Sequence, residues 1–152
     1  MLVIRQLILA GLATLVCVVT NAAQTVNELR QKYGPPDEKG FYMVRPKIAM
    51  SVLFAKDGQA CKVLIKPLSQ IAQKDSLPLL LESEDVSKII DEIAPISLRG
   101  RRGRSISLSA GCTSVLGTDY ENIRIRRTVV CKSDGSRGES SIEIVWKKRG
   151  CE

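Results

Sequence analysis

The chain has 152 residues, contains no histidine, and carries 23 basic against 16 acidic side chains, which gives a net charge of +7 at pH 7. The missing histidine excludes Ser-His-Asp and Cys-His nucleophile systems, HExxH metalloproteases and histidine-ligated zinc deaminases. Any general acid or base chemistry would therefore fall to carboxyl groups. With 44% hydrophobic residues, the composition is typical of a folded protein rather than a disordered one.

Residues 1–23 have the pattern of a secretory signal peptide. Arg5 supplies a positive charge, residues 7–19 form an uncharged apolar run, and small residues end at Ala23. A membrane span needs roughly 20 apolar residues, so a retained anchor is less favoured. A lipid anchor on Cys17 is also less favoured, because Val16 stands where lipoprotein signals have a small residue. We expect a single exported domain over residues 24–152, periplasmic or extracellular and without a transmembrane segment.

The predicted elements begin with a helix over residues 25–33. Thr25 and Glu28 have capping-box spacing, and Gly34 followed by two prolines ends the helix. Residues 41–67 then predict a β-hairpin, because apolar residues alternate on both sides of a turn at residues 57–58 and Pro67 ends the second strand.

A second helix is predicted over residues 83–93, with Ser83 as its cap and a buried stripe of isoleucine and valine. Residues 99–104 read as a flexible, charged connector, and strands follow over residues 105–110, 121–131 and 140–147. Ile106 and Leu108 alternate with serines, which is typical of a half-buried strand. Arg127 has inward parity, so we expect it at an edge, beside a partner, or at a bulge.

The order of these elements, α-ββ-α-βββ, predicts a two-layer α+β fold. Strands that are polar on one side suit a mainly antiparallel sheet with one solvated face, and two short helices would cover the other face. Residues 24–95 have no net charge, whereas residues 96–152 carry 12 basic against 6 acidic side chains. An anionic partner should therefore meet the C-terminal half.

Four cysteines remain after signal removal, and in a small exported chain they indicate two disulfides. A bond between Cys131 and Cys151 is disfavoured, because these residues would lie at opposite ends of a hairpin about 34 Å long. We expect Cys112–Cys151 and Cys61–Cys131. No close C-x-x-C pair occurs, which disfavours a zinc site and thiol redox chemistry.

The strongest candidate for a functional site is the basic segment at residues 99–104. Guanidinium groups on a glycine-spaced loop could bind phosphates, sulfated glycans or anionic lipid headgroups. Basic residues on neighbouring strands could extend this surface. The full candidate set is Arg99, Arg101, Arg102, Arg104, Arg124, Arg126, Lys147 and Lys148. Its alternative is a solubilising loop beside charged strand faces.

Other site classes lack their residues. Neither a phosphate-binding glycine loop nor an EF-hand occurs, and we expect no cofactor and no metal. Tyr120 and Trp146 do not form a base-stacking platform, so nucleic acid is a disfavoured partner. The densest acids (Glu82, Glu84, Asp85, Asp91 and Glu92) fall mainly on the exposed face of the second helix. A carboxylate-based glycan hydrolase, which needs two carboxyls about 5–10 Å apart in a cleft, remains an alternative.

Two resemblances add to these predictions. Tyr33-Gly34-Pro35 followed by a hairpin with Asp57-Gly58 at its turn resembles the start of small outer-membrane assembly lipoproteins with an ααβββ build. This resemblance covers about the first third of the exported chain. The lipid-bearing cysteine of those lipoproteins is missing here, so the resemblance implies a similar architecture rather than a function.

The second resemblance covers most of the exported chain. It is to a group of small secreted bacterial proteins with no assigned activity, and it implies bacterial export without assigning functional residues. The motifs that carry it are Val44-Arg45-Pro46, Asp57-Gly58-Gln59-Ala60-Cys61, Arg99-Gly100, Gly111-Cys112, Tyr120-Glu121-Asn122 and Trp146-Lys147-Lys148.

From these observations we expect a non-enzymatic exported domain that acts by binding or by supporting envelope structure. Its partner would be an anionic surface or polymer, or an envelope protein. The first alternative is an anion-binding module that uses residues 99–104, and the second is the carboxylate-based hydrolase.

Overall fold

The computed structural model describes residues 24–72 and 80–151. The predicted signal peptide at residues 1–23 lies outside the described residues. Within the described ranges, no helix combines the length and the apolar character that crossing a membrane requires.

Within residues 24–72 and 80–151, seven antiparallel strands form one sheet in the order β1-β2-β3-β7-β6-β5-β4, accompanied by four short helices. This confirms the predicted α+β class. The strands are β1 Phe41–Arg45, β2 Ile48–Phe54, β3 Ala60–Pro67, β4 Arg102–Ala110, β5 Thr113–Tyr120, β6 Ile123–Cys131 and β7 Arg137–Trp146. The helices are α1 Val26–Tyr33, α2 Leu68–Ala72, α3 Ser83–Ile93 and α4 Ile96–Arg99.

Local sequence signals explain how α1 and α3 form. Thr25 and Glu28 make the predicted capping box, and the N–H of Gly34 (φ 80°) donates to the carbonyl of Arg30 at the end of α1. The predicted cap at Ser83 is wrong by one residue, since Glu82 occupies the cap position and makes no side-chain capping bond. The predicted apolar stripe of α3 is buried against the sheet, and it consists of Val86, Ile89, Ile90 and Ile93.

The predicted order α-ββ-α-βββ is too short, because the structure has the order α-βββ-α-α-α-ββββ. The first hairpin is a three-stranded meander, in which β1 is added through a tight turn at Lys47 (φ 70°). The sequence of β5 contains Gly117 and several polar residues, so it lacks the alternation of a strand. It is nevertheless held as a strand by β4 on one side and β6 on the other.

Buried residues of α1, α3 and five strands form a single hydrophobic core on one face of the sheet. Ile65, Ile142 and Ile144 are fully buried in it, opposite α3. We call β1, β2, β3, β6 and β7 with α1 and α3 the covered region. Every residue of β4 is exposed, so the predicted half-burial of Ile106 and Leu108 is wrong. The β4–β5 hairpin contributes no buried residue to this core.

The disulfides join Cys61 to Cys151 and Cys112 to Cys131, with Cα–Cα distances of 5.5 and 5.2 Å. The predicted pairing of Cys112 with Cys151 and of Cys61 with Cys131 is therefore wrong. Its error follows from the missing β5, because this strand runs antiparallel to β6 with Thr113 opposite Val130. The cysteine before β5 thus lies beside the end of β6, at the opposite end from Cys151.

Arg127, whose position in β6 predicts an inward side chain, pairs with a carboxylate, which is one of the three outcomes that the sequence left open. Its guanidinium bonds both carboxylate oxygens of Glu139, which is buried, and the register of β6 shifts between Thr128 and Val129. A partner with complementary charge and hydrogen-bonding geometry is what makes such burial tolerable.

Candidate anion-binding groove

The predicted arginine connector is not a flexible loop. Arg99 is the last residue of α4 and is buried. Its Nε donates to the carbonyl of Ala94 at 2.6 Å, its Nη2 pairs with Asp91, and its guanidinium lies 5.8 Å from the centre of the Tyr120 ring. Arg99 therefore holds α3, α4 and β5 together, and it is not available to a ligand.

The chain turns sharply between α4 and β4 at Gly100. Gly100 has φ 73°, and a Cβ built on it would lie 2.8 Å from the Cβ of Glu121. Arg101, whose side chain is 93% exposed, lies 3.6 Å from the Glu121 carboxylate. Arg102 and Arg104 belong to β4 rather than to a loop.

Strand register places the other candidate arginines on one face of the sheet. Directly opposed residues of antiparallel strands share a face, and the register opposes Asp119 to Arg124 and Gly117 to both Arg126 and Ile106. This face points away from the helices and the core. We call it the open face.

A groove of about 420 Å³ lies on the open face across β4, β5 and β6. Its apolar floor includes Ile106 and Leu108, whose side chains are 54% and 66% exposed. Three arginines from two strands stand around this floor. The lining residues are Arg104, Ile106, Leu108, Val115, Gly117, Asp119, Arg124 and Arg126.

Ion pairs hold two of the three arginines in place. Arg124 lies 2.7 Å from the Asp119 carboxylate, and Arg126 lies 3.2 Å from that of Glu143. Arg104 makes no ion pair with any described residue and is the free cation of the groove.

Two lysines join the same pairs. Lys147 lies 3.4 Å from Asp119, and Lys62 pairs with Glu143. The open face around the groove thus carries five cations (Lys62, Arg104, Arg124, Arg126 and Lys147) against two carboxylates, which leaves a net charge of +3. This excess attracts anions to the groove.

Both carboxyl groups beside the groove are held in their ionised form. The hydrogen bond and charge of Arg124, aided by Lys147, lower the pKa of Asp119. Burial acts to raise the pKa of Glu143, but the hydrogen bonds and charges of Lys62 and Arg126 outweigh it and lower that pKa. Both groups therefore orient the basic side chains near neutral pH.

The remaining predicted residues lie elsewhere. Arg102 is exposed and donates from Nη2 to the Oγ of Ser105 at 3.4 Å. Lys148 lines a separate cavity beside Trp146. Among the described residues, no group of three or more cysteine, aspartate or glutamate side chains has a geometry suited to a metal ion.

The sequence reasoning missed the apolar half of the groove. Ile106 and Leu108 read as core residues, because their alternation with serine does not reveal that they occupy the face of the sheet opposite to the helices. The missed residues of β5 (Val115, Gly117 and Asp119) enter the groove only through pairing with β4 and β6. An excess of serine on β4 was the one signal that this strand lies outside the core.

Models of known protein families do not match this chain, and no curated protein or solved structure is significantly similar to it. The motif resemblances therefore stay predictions, and the arrangement of side chains carries the functional argument.

Proposed function

We propose that this chain is an exported, non-enzymatic binding domain whose groove on β4, β5 and β6 holds an anionic lipid-like amphiphile. The carrying observation is the pairing of an uncovered apolar floor at Ile106 and Leu108 with a rim of three arginines. Such a groove matches a ligand with a hydrocarbon chain and a phosphate headgroup.

The positive charge of the groove favours a ligand with a phosphate headgroup. Arg104 has no carboxylate partner among the described residues, and the guanidinium fork matches phosphate oxygens in a bidentate geometry. Arg124 and Arg126 keep donors beyond those used on Asp119 and Glu143. A phosphate above the floor would thus meet fixed cations on β6 and a free one on β4.

The exposed apolar surface favours a ligand that carries a hydrocarbon chain. Burying apolar area contributes about 25 cal/mol per Å², and Ile106 and Leu108 present adjoining apolar side chains on one face of β4. The groove volume of about 420 Å³ falls in the usual range for small-molecule sites. A free oxyanion would leave this surface in water, whereas an alkyl chain covers it.

Export is supported by the two cysteine pairs, because disulfides persist in oxidising compartments. Together with the predicted signal at residues 1–23, they favour the periplasm or the extracellular space.

A binding role, rather than a catalytic one, is supported by the acids beside the groove. A glycosidase acid needs a raised pKa, whereas the pKa values of Asp119 and Glu143 are both lowered.

Calorimetric titration with dodecyl phosphate, kept below its micelle concentration, tests the proposal. Dodecyl maltoside, with the same chain and a neutral headgroup, is the comparison ligand. We expect at least tenfold tighter binding of the phosphate, since hydrogen bonds to charged groups contribute about 1.5–3 kcal/mol. Arg104→Gln should weaken dodecyl phosphate binding about tenfold, and Leu108→Ser about fivefold.

Two matched controls use the same substitutions outside the groove. Arg101→Gln removes an exposed arginine, and Leu53→Ser removes a leucine that is 51% exposed on β2 and on the same face. Both should bind dodecyl phosphate within twofold of the wild type. Equal affinity for the two ligands, or equal losses in the groove and control variants, would refute the proposal.

A further inference from the structure

Arg149 is a partly buried arginine for which the described part of the chain supplies no carboxylate partner. Among the described residues, four arginines are not exposed, namely Arg45, Arg99, Arg127 and Arg149. The first three are paired with Glu92, Asp91 and Glu139 respectively. The Nη1 atom of Arg149 is fully buried and has no hydrogen-bond partner among the described residues. An unpaired buried donor is costly to a fold, so this atom calls for an acceptor.

The acids that interact with the neighbouring Lys147 and Lys148 are already engaged by other cations. Asp119 pairs with Arg124 and Lys147. The charge of Lys148 acts on Glu121, but this carboxylate is already hydrogen-bonded to Arg101, whose backbone N–H donates to Glu121 Oε2 at 3.3 Å. The basic run at residues 147–149 therefore keeps an excess of positive charge at Arg149.

A cavity of about 200 Å³ adjoins this guanidinium, and it is lined by Leu98, Asn122, Trp146, Lys148 and Arg149. Its walls are fixed by hydrogen bonds. Asn122 Nδ2 donates to the carbonyl of Leu98 at 3.1 Å, and the N–H of Lys147 donates to the carbonyl of Asn122 at 2.9 Å. Two residues beyond Arg149, the disulfide from Cys151 to Cys61 anchors the segment to β3.

We propose that this cavity is a second binding site, which takes a small oxyanion such as phosphate or a short carboxylate. Arg149 and Lys148 supply two positive charges, while Trp146 and Leu98 form the apolar wall. The site shares no lining residue with the groove on the open face. It is therefore independent of the proposed amphiphile site.

Trp146 provides a direct probe of this cavity, because it is the chain's single tryptophan. Its fluorescence should change saturably when sodium phosphate is added at an ionic strength held constant with sodium chloride. We expect Arg149→Gln to raise the half-saturating phosphate concentration at least tenfold. Arg149→Lys keeps the positive charge but loses the two-pronged guanidinium, so its half-saturating phosphate concentration should lie between those of the wild type and Arg149→Gln. Arg104→Gln is the matched control and should behave as the wild type.

Thermal unfolding gives a second readout that does not depend on fluorescence. In phosphate-free buffer, Arg149→Met removes an uncompensated charge and should raise Tm by about 3 °C. Added phosphate should then raise the Tm of the wild type but not that of this variant. A variant with lowered Tm and an undiminished response to phosphate would refute the site.

The two proposals can fail independently. Arg149→Gln should leave dodecyl phosphate binding unchanged, and Arg104→Gln should leave the Trp146 response to phosphate unchanged. A phosphate response that is absent, does not saturate, or is the same in Arg149→Gln and the wild type would overturn the oxyanion site while leaving the groove untouched.

Discussion

The covered region and the β4–β5 hairpin are parts of one continuous sheet, yet their similar strand patterns have opposite outcomes. Ile142 and Ile144 alternate with polar residues on β7 and are fully buried, whereas Ile106 and Leu108 alternate with serines on β4 and stay more than half exposed. The difference is the face of the sheet, because the strand register places Ile142 and Ile144 on the face that α1 and α3 cover and Ile106 and Leu108 on the open face. The face to which an alternating strand turns its apolar residues therefore decides whether they contribute to the core or offer a surface.

Charged residues divide in the same way. In the covered region, Arg127 pairs with the buried Glu139, and this ion pair compensates for the loss of water around the carboxylate. On the hairpin, Arg104 has no such partner among the described residues, and its charge remains available to a ligand. The role of an arginine in this fold is thus set by its partners rather than by its place in a basic segment.

The largest single loss of stability is expected from removal of a disulfide. The bond Cys61–Cys151 closes a loop of 90 residues and Cys112–Cys131 one of 19. The chain-entropy model gives about 4.6 and 3.2 kcal/mol of stabilisation for loops of these sizes. Replacing both cysteines of one pair with alanine, and measuring the free energy of unfolding in urea, should reproduce this order.

The same variants should separate the two proposed sites. Loss of Cys112–Cys131 loosens the hairpin end of the groove and should weaken dodecyl phosphate binding. Loss of Cys61–Cys151 releases the segment that carries Arg149 and should weaken the phosphate response. A larger destabilisation from loss of the shorter loop would contradict the predicted order of the two disulfides.

A second comparison uses one apolar truncation in each region. Ile142→Ala creates a cavity in the core and should reduce the free energy of unfolding by about 3–4 kcal/mol. Leu108→Ala, at a side chain that is 66% exposed, should cost less than about 1 kcal/mol. Urea denaturation followed by Trp146 fluorescence measures both. Similar losses would show that the hairpin belongs to the cooperative core.

Much of the covered region could be predicted because its signals are local. Spacing within one element predicts the capping box of Thr25 and Glu28, the stripe of α3 and the inward position of Arg127. The α+β class follows from adding these elements together. Each prediction depended on residues that lie close together in the sequence, within one element or in two adjoining elements.

The hairpin and the groove could not be predicted, because they depend on pairing between distant segments. Once β5 is missed, the register of β4 and β6 is lost, and Cys112 is assigned to the wrong end of the sheet. Arg99 looked like part of a basic cluster, since nothing local reveals that Asp91 and Ala94 would enclose it. Of the predicted candidates, Arg104, Arg124 and Arg126 line one groove, but they stand on paired strands rather than on a loop.

The smallest predicted effect concerns pH and should appear in the covered region. Tyr33 on α1 donates to Glu92 on α3 at 3.3 Å, and Arg45 of β1 pairs with the same carboxylate. Burial, followed by the charge and hydrogen bond of Glu92, raises the pKa of Tyr33 from 10.0 to about 12, against the opposing charge of Arg45. The neutral phenol is therefore the form that the fold stabilises.

The sign of the pH effect follows from linkage between folding and ionisation. Because the folded pKa is raised, this stabilisation is complete below pH 10.0 and is lost as the pH rises towards about 12. The loss should be about 1 kcal/mol, since partial solvent exposure screens the interaction. Tyr33→Phe should remove this part of the alkaline decline, and the difference between variant and wild type in absorbance near 295 nm should titrate close to the raised pKa. A difference that titrates near pH 10 would instead show that α1 is not held against α3, and that the covered region is smaller than the structure indicates.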